Sequence, residues 1–200
     1  MGSGIAQVAA QAGHRVVLFD TRQDAVDSAM SGLRATMGKL TAKGKFTRDE
    51  ADALLGRITP ATSIQDLAGC GLVIEAIVED LGLKKKLFAE LDALLAATCI
   101  LASNTSSLAV TAIASACRRP ERVIGLHFFN PAPILPLVEV VPGIVTDRGL
   151  PARCCELMRD WGKTPVVCKD TPGFIVNRVA RPFYGESIRI FEEGVADMPS

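Results

Sequence analysis

Short apolar runs of four to seven residues recur along this chain, at 15–20, 72–77, 99–102, 123–129, 137–141 and 165–168. Segments with helical spacing lie between most of them: a small-residue helix ending near Gly13, a long pattern from about Gln23, and others at 48–55, 83–95 and 150–161. A strand that is apolar on both faces has to be covered on both, and helices packed above and below a sheet do this. The alternation therefore predicts an α/β fold with a doubly wound, Rossmann-type, mostly parallel sheet. In such sheets ligands bind beyond the carboxyl ends of the strands.

Two neighbouring strand ends carry the chemistry. The run at 99–102 leads into Ser103-Asn104-Thr105-Ser106-Ser107, and the run at 123–129 contains His127 and leads into Asn130-Pro131. Imidazole is the side chain whose ordinary pKa lies nearest neutrality. Glu139, on the next apolar run, is placed to orient it, and Ser106 supplies a hydroxyl. These groups suit general acid–base chemistry on a substrate hydroxyl or carbonyl. The alternatives are a core histidine, an edge carboxylate and a helix-capping serine; a serine can cap and serve a site together.

Composition narrows the function classes. Net charge is zero, which removes the electrostatic argument for nucleic acid or an anionic membrane as partner. No apolar run approaches the length of a membrane span, and the N-terminus shows no signal-peptide pattern. The six cysteines lack metal-site spacing, so no metal is expected, and reduced thiols in a cytoplasmic setting are the default reading. The adjacent Cys154 and Cys155 read as buried hydrophobes rather than a redox pair.

Both ends are abrupt. The opening Met1-Gly2-Ser3-Gly4 leads straight into a helix, although a nucleotide-binding fold of this type begins with a strand and a Gly-x-Gly-x-x-Gly turn. We therefore expect a nucleotide-binding domain over 1–170 that lacks its first, central strand, with Gly2 as the last glycine of the turn. From 174 a long helical run, interrupted at Pro182, continues to Ser200. Residues 171–200 read as the start of a second, all-helical domain. Loss of a central strand should leave bare edges that favour aggregation or pairing through the gap.

Five motifs then resemble, in order, the L-3-hydroxyacyl-CoA dehydrogenase family: Gly2-Ser3-Gly4-Ile5-Ala6-Gln7, Val73-Ile74-Glu75-Ala76-Ile77-Val78-Glu79, Ser103-Asn104-Thr105-Ser106-Ser107, His127-Phe128-Phe129-Asn130-Pro131, and the stretch from Lys169 to Arg178. The residues 181–186 are similar to the branch acting on 3-hydroxyadipyl-CoA in phenylacetate breakdown. The resemblance implies NAD as cofactor and an acyl-CoA as substrate. It implies that His127 takes the proton from the 3-hydroxyl, that Glu139 pairs with it, and that Ser106 and Asn177 contact the substrate oxygen. Gly2, Asp20, Glu79, Lys84, Asn104 and Asn130 are the implied cofactor residues. Asp20 ends its strand where a carboxylate binds ribose hydroxyls and repels a 2′-phosphate, which favours NAD over NADP. Lys39, Lys43 and Lys45 lie where the family meets the CoA phosphates. On spacing alone, Lys84 in its Lys-Lys-Lys run and at least two of Lys39, Lys43 and Lys45 read as solvated helix faces rather than ligand contacts.

Two other readings remain open from the sequence. One is an inactive fragment that still binds acyl-CoA, motivated by the broken glycine turn. The other is a related hydroxyacid dehydrogenase, since similar proteins oxidise gulonate or serve as lens crystallins. The resemblance also implies that 1–170 is the NAD-binding domain, that the helical domain beginning at 171 serves dimerisation and substrate binding, and that the full-length protein is a homodimer.

Overall fold

The computed structural model describes residues 1–197, so the last three residues of the predicted helical run lie outside the described residues. The expected α/β architecture is present, with seven α-helices and seven strands among the described residues. Helix α1 (Gly2–Gln11) precedes strand β1 (Val16–Leu18), and α2 (Gln23–Ala42) and α3 (Arg48–Gly56) lead to β2 (Ile58–Pro60). The remaining elements are β3 (Leu72–Glu75), α4 (Leu81–Leu94), β4 (Ile100–Ser103), α5 (Val110–Ala114), β5 (Val123–Phe128), β6 (Leu137–Pro142), α6 (Leu150–Asp160), β7 (Thr164–Val167) and α7 (Val176–Glu192).

The strands form two sheets. β1 and β2 pair in parallel, and β3-β4-β5-β6-β7 form the second sheet, in which only the β5–β6 pairing is antiparallel. β1 and β3 are not bonded to each other. A cavity of about 990 Å³ separates them, lined by Val16, Val17 and Leu18 on one side and Leu72, Val73 and Ile74 on the other.

Every residue of β5 is buried, and its side chains alternate between two cores. Ile124, Leu126 and Phe128 join Val138 and Val140 of β6 under α1 and α6, with Ile5, Val8, Cys154 and Met158. Val123 and Val141 face the opposite side, against Phe88 and Leu91 of α4 and Val110 and Ile113 of α5. Helices thus cover both faces, as the two-sided apolar runs require. A third cluster joins α1, α2, α3 and β2 through Ala10, Leu33, Met37, Leu54 and Ile58.

Local chemistry sets the boundaries. Thr47 accepts from the Glu50 amide while Glu50 accepts from the Thr47 amide, a reciprocal cap that starts α3. Gly13, just beyond α1, sits at φ 94°, a conformation that costs glycine nothing and lets the chain turn into β1. The buried Asp92 of α4 receives Nε and Nη2 of Arg122 at 3.1 and 2.7 Å and the Arg118 amide at 2.8 Å, which locks α4 to the turn before β5. Lys163 is likewise buried and donates to the carbonyls of Ala132 and Leu135, pinning the loop between β5 and β6; burial pushes its pKa down.

The structure departs from the sequence expectations in three places. The short β2 has no counterpart among the expected strands, because three residues carry too little pattern. β6 runs against β5, a direction that apolar content does not encode. α7 passes through Pro182 without a break, although proline removes the bond its amide would make one turn back.

Candidate active site

The antiparallel β5–β6 pairing builds the centre of the site. His127 lies directly opposite Glu139 in register, on the face that also carries Val123, Gly125 and Val141. Both side chains are buried, and Glu139 Oε2 lies 2.7 Å from His127 Nδ1. A carboxylate can only accept, so Nδ1 carries the hydrogen and Nε2 the lone pair. Phe129 and Phe174 flank the imidazole, with ring centroids at 4.5 and 5.7 Å. The other carboxylate oxygen, Glu139 Oε1, accepts from the amides of Ile175 and Val176 at 2.9 Å each, at the start of α7. Anions suit that end of a helix, where amides lack intrahelical partners.

A second group of residues meets beyond the ends of β3 and β4. Glu79 Oε1 accepts from Thr105 Oγ1 at 2.6 Å and from the amides of Ser106 and Ser107 at 2.9 and 3.0 Å; both serine hydroxyls also approach it. Partial burial raises the Glu79 pKa, but bonds from Thr105 Oγ1 and the Ser106 amide, the Lys84 charge and the Ser107 amide outweigh it and bring the carboxyl down to about 2. Lys84 is turned inward rather than solvated, at 1% side-chain exposure, with Nζ 2.6 Å from Glu75 Oε1 and 3.5 Å from Glu79 Oε2. The helix spacing of the lysine run does not reveal this, because only Lys84 of the three faces the strand ends.

These two groups are tied into one network. Asn104 Oδ1 accepts from the Phe128 amide at 2.7 Å, which couples the end of β4 to the residue after His127. Asn177 Nδ2 donates to the Ser106 carbonyl at 3.2 Å, which ties α7 to the serine turn. Through these bonds and the chain continuity of His127 with Phe128 and of Val176 with Asn177, His127, Glu139, Ser106, Asn177, Asn104, Glu79 and Lys84 are held in one assembly. Asn130 is exposed just beyond it.

The remaining candidates lie elsewhere. Gly2 and Asp20 both line the large cavity, at the start of α1 and just past the end of β1, and Glu75 lines it as well. Helix amides suit phosphate, and an exposed carboxylate suits ribose hydroxyls. The residues present therefore fit a dinucleotide laid across the strand ends. Lys39, Lys43 and Lys45 are exposed around the C-terminal end of α2, and no contact joins them to the network. Sequence reasoning missed Glu75, Ser103, Thr105 and Ser107 as members of the assembly; Glu75 was visible only as one residue of a motif. It also missed Asp170, whose carboxylate accepts from the Val110 and Thr111 amides at 2.7 and 2.8 Å. All six cysteines are free, and burial pushes the thiols of Cys117, Cys154 and Cys168 up to about 11. Among the described residues there is no acidic, histidine or cysteine cluster able to hold a metal, and no helix long and apolar enough to cross a membrane.

A doubly wound sheet with a His–Glu pair at one strand end and a carboxylate–serine cluster at the next defines a dinucleotide-dependent dehydrogenase class. Residues 1–171 match the family described as 3-hydroxyacyl-CoA dehydrogenase, NAD binding domain, and the chain belongs to that family. It is 50% identical over 196 residues to the 3-hydroxyadipyl-CoA dehydrogenase of Escherichia coli K12, covering 98% of this chain and 41% of that protein. It is 46% identical over 197 residues to a probable 3-hydroxybutyryl-CoA dehydrogenase of Deinococcus radiodurans, covering 98% of this chain and 70% of that protein. The crystal structure of (S)-3-hydroxybutyryl-CoA dehydrogenase from Ralstonia eutropha superposes with a TM-score of 0.95 at 37% identity, over 100% of this chain and 70% of that one. The chain thus spans less than half the length of the Escherichia coli relative.

Proposed function

We propose that this chain carries the cofactor-binding and proton-accepting half of an NAD-dependent dehydrogenase that oxidises an L-3-hydroxyacyl-CoA to the 3-oxoacyl-CoA. The observation that carries this reading is the buried 2.7 Å contact between His127 Nδ1 and Glu139 Oε2 at the end of an interior strand. NAD, when bound, supplies the hydride acceptor. His127 Nε2 takes the hydroxyl proton, and Glu139 holds the tautomer and balances the imidazolium that forms. Ser106 hydrogen-bonds the substrate oxygen, while Asn177 contributes through the Ser106 carbonyl as well as by its free amide oxygen. Asp20 and the start of α1 with Gly2 take the ribose and phosphate side of NAD. Glu79, Lys84, Asn104 and Asn130 shape the nicotinamide end. Lys39, Lys43 and Lys45 serve the CoA phosphates as exposed cations.

The identity to a 3-hydroxyadipyl-CoA dehydrogenase supports an acyl chain that itself ends in a carboxylate. A pair of copies joined through α7 is the assembly we favour, because Val179, Phe183 and Phe191 are exposed on that helix. The free, high-pKa thiols support a reducing, cytoplasmic setting. The test is NADH formation, followed by absorbance, from NAD with 3-hydroxybutyryl-CoA and with 3-hydroxyadipyl-CoA. Turnover of a CoA thioester supports the reading. Oxidation of free hydroxyacids but not thioesters would overturn it in favour of a hydroxyacid dehydrogenase.

A further inference from the structure

Glu75 has no role in the proton transfer described above, yet it is one of the most constrained charges in the molecule. It ends β3 at 4% exposure and stands in register with Ser103 at the end of β4. Oε1 receives Lys84 Nζ and the Ile77 amide, both at 2.6 Å, and Oε2 receives Ser103 Oγ at 2.7 Å. The contacts to Lys84 and Ser103 lead onward to one place. Lys84 reaches Glu79, whose carboxylate gathers Thr105 Oγ1 and the amides of Ser106 and Ser107. Ser103 Oγ accepts from the Thr105 amide at 3.2 Å.

We infer that Glu75 is the positioning residue of this site, setting the 105–107 turn by two routes, through Lys84 and Glu79 and through Ser103, and thereby placing Ser106. The inference rests on the dehydrogenase reading only for what Ser106 does, not for how it is held. The physical reason lies in the charges. Lys84 is one buried cation between two carboxylates, and the shorter contact to Glu75 leaves Glu79 free to commit its Oε1 to the turn. Without the Glu75 charge, the ammonium moves to its remaining partner and competes with the amides of Ser106 and Ser107 for Glu79. A buried ion that loses its partner is strongly unfavourable where it stands, which drives that move.

The test is amide hydrogen exchange by NMR on Glu75→Gln, which keeps the shape and the hydrogen-bonding atoms but removes the charge. Exchange at Ser106 and Ser107 rises by about tenfold or more, while that at Val123–Phe128 stays unchanged. Unchanged exchange at Ser106 and Ser107 in the folded variant overturns the inference, as does a rise spread evenly over the sheet. The double variant Glu75→Gln with Lys84→Met covers the case in which the single change fails to fold, since removing both charges together leaves no buried ion without its partner. There no ammonium is left to compete for Glu79, so protection at Ser106 and Ser107 returns to within about twofold of the wild type; a loss as large as that expected of the single variant overturns the proposal. Where turnover is measurable, kcat falls by a larger factor than KM for the acyl-CoA rises, the pattern of a misplaced reacting-group contact. Exchange needs neither NAD nor substrate, so an inactive wild type overturns the dehydrogenase reading and leaves this measurement decisive.

Discussion

At the scale of single residues, the site works by giving each carboxylate one assignment per oxygen. Glu139 divides itself between an imidazole and two helix amides; Glu79 gives one oxygen to a turn and the other to a lysine. His127→Ala is expected to lower turnover by about a thousandfold with the fold intact, read from NADH absorbance beside a thermal melt. Glu79 gives a pH prediction with a definite sign. Its folded pKa of about 2 lies below the ordinary 4.5, so its stabilisation is complete above 4.5 and is lost as pH falls towards 2. Urea midpoints should fall through that window in the wild type and less steeply in Glu79→Gln. His127, Glu139 and Ser106 were legible in the sequence because each sits where an apolar run stops or is broken by a polar group. Glu75 and Thr105 were not, because their significance lies in contacts across 26 to 28 residues that no local pattern marks.

At the scale of elements, β5 is the beam on which the site rests. Gly125 is its narrowest point: a Cβ there would come within 2.9 Å of both Val110 Cγ2 and Val141 Cβ. Gly125→Ala is therefore expected to cost about 1–3 kcal/mol, read from urea unfolding, by pushing α5 and β6 off the strand. Asp92→Asn should cost about 3–5 kcal/mol by the same measurement, since it leaves the Arg122 guanidinium buried beside a neutral amide. The long apolar-patterned helices and the wholly buried strands were readable from periodicity. The reversal of β6 was not. Its side chains alternate in the same way in either direction; the direction lies in the connection 129–136, which is too short for a parallel crossover and is held by Lys163.

At the scale of the whole molecule, the two sheets differ in how they are supported. β1 and β2 pair only with each other across the cavity from β3, whereas β5 is flanked on both edges and covered on both faces. Val16–Leu18 should exchange their amide hydrogens through local opening well before Ile124–Phe128 do, and equal protection of the two would show the sheets to be energetically one. The open edges also predict self-association that grows with concentration in sedimentation. The carboxylate that steadies His127 is the same one that grips the first amides of α7. Any torque on that helix is thus delivered to the imidazole through three bonds to a single rigid group. The start of α7 and the imidazole therefore share one anchor, so that neither can shift without the other losing a partner.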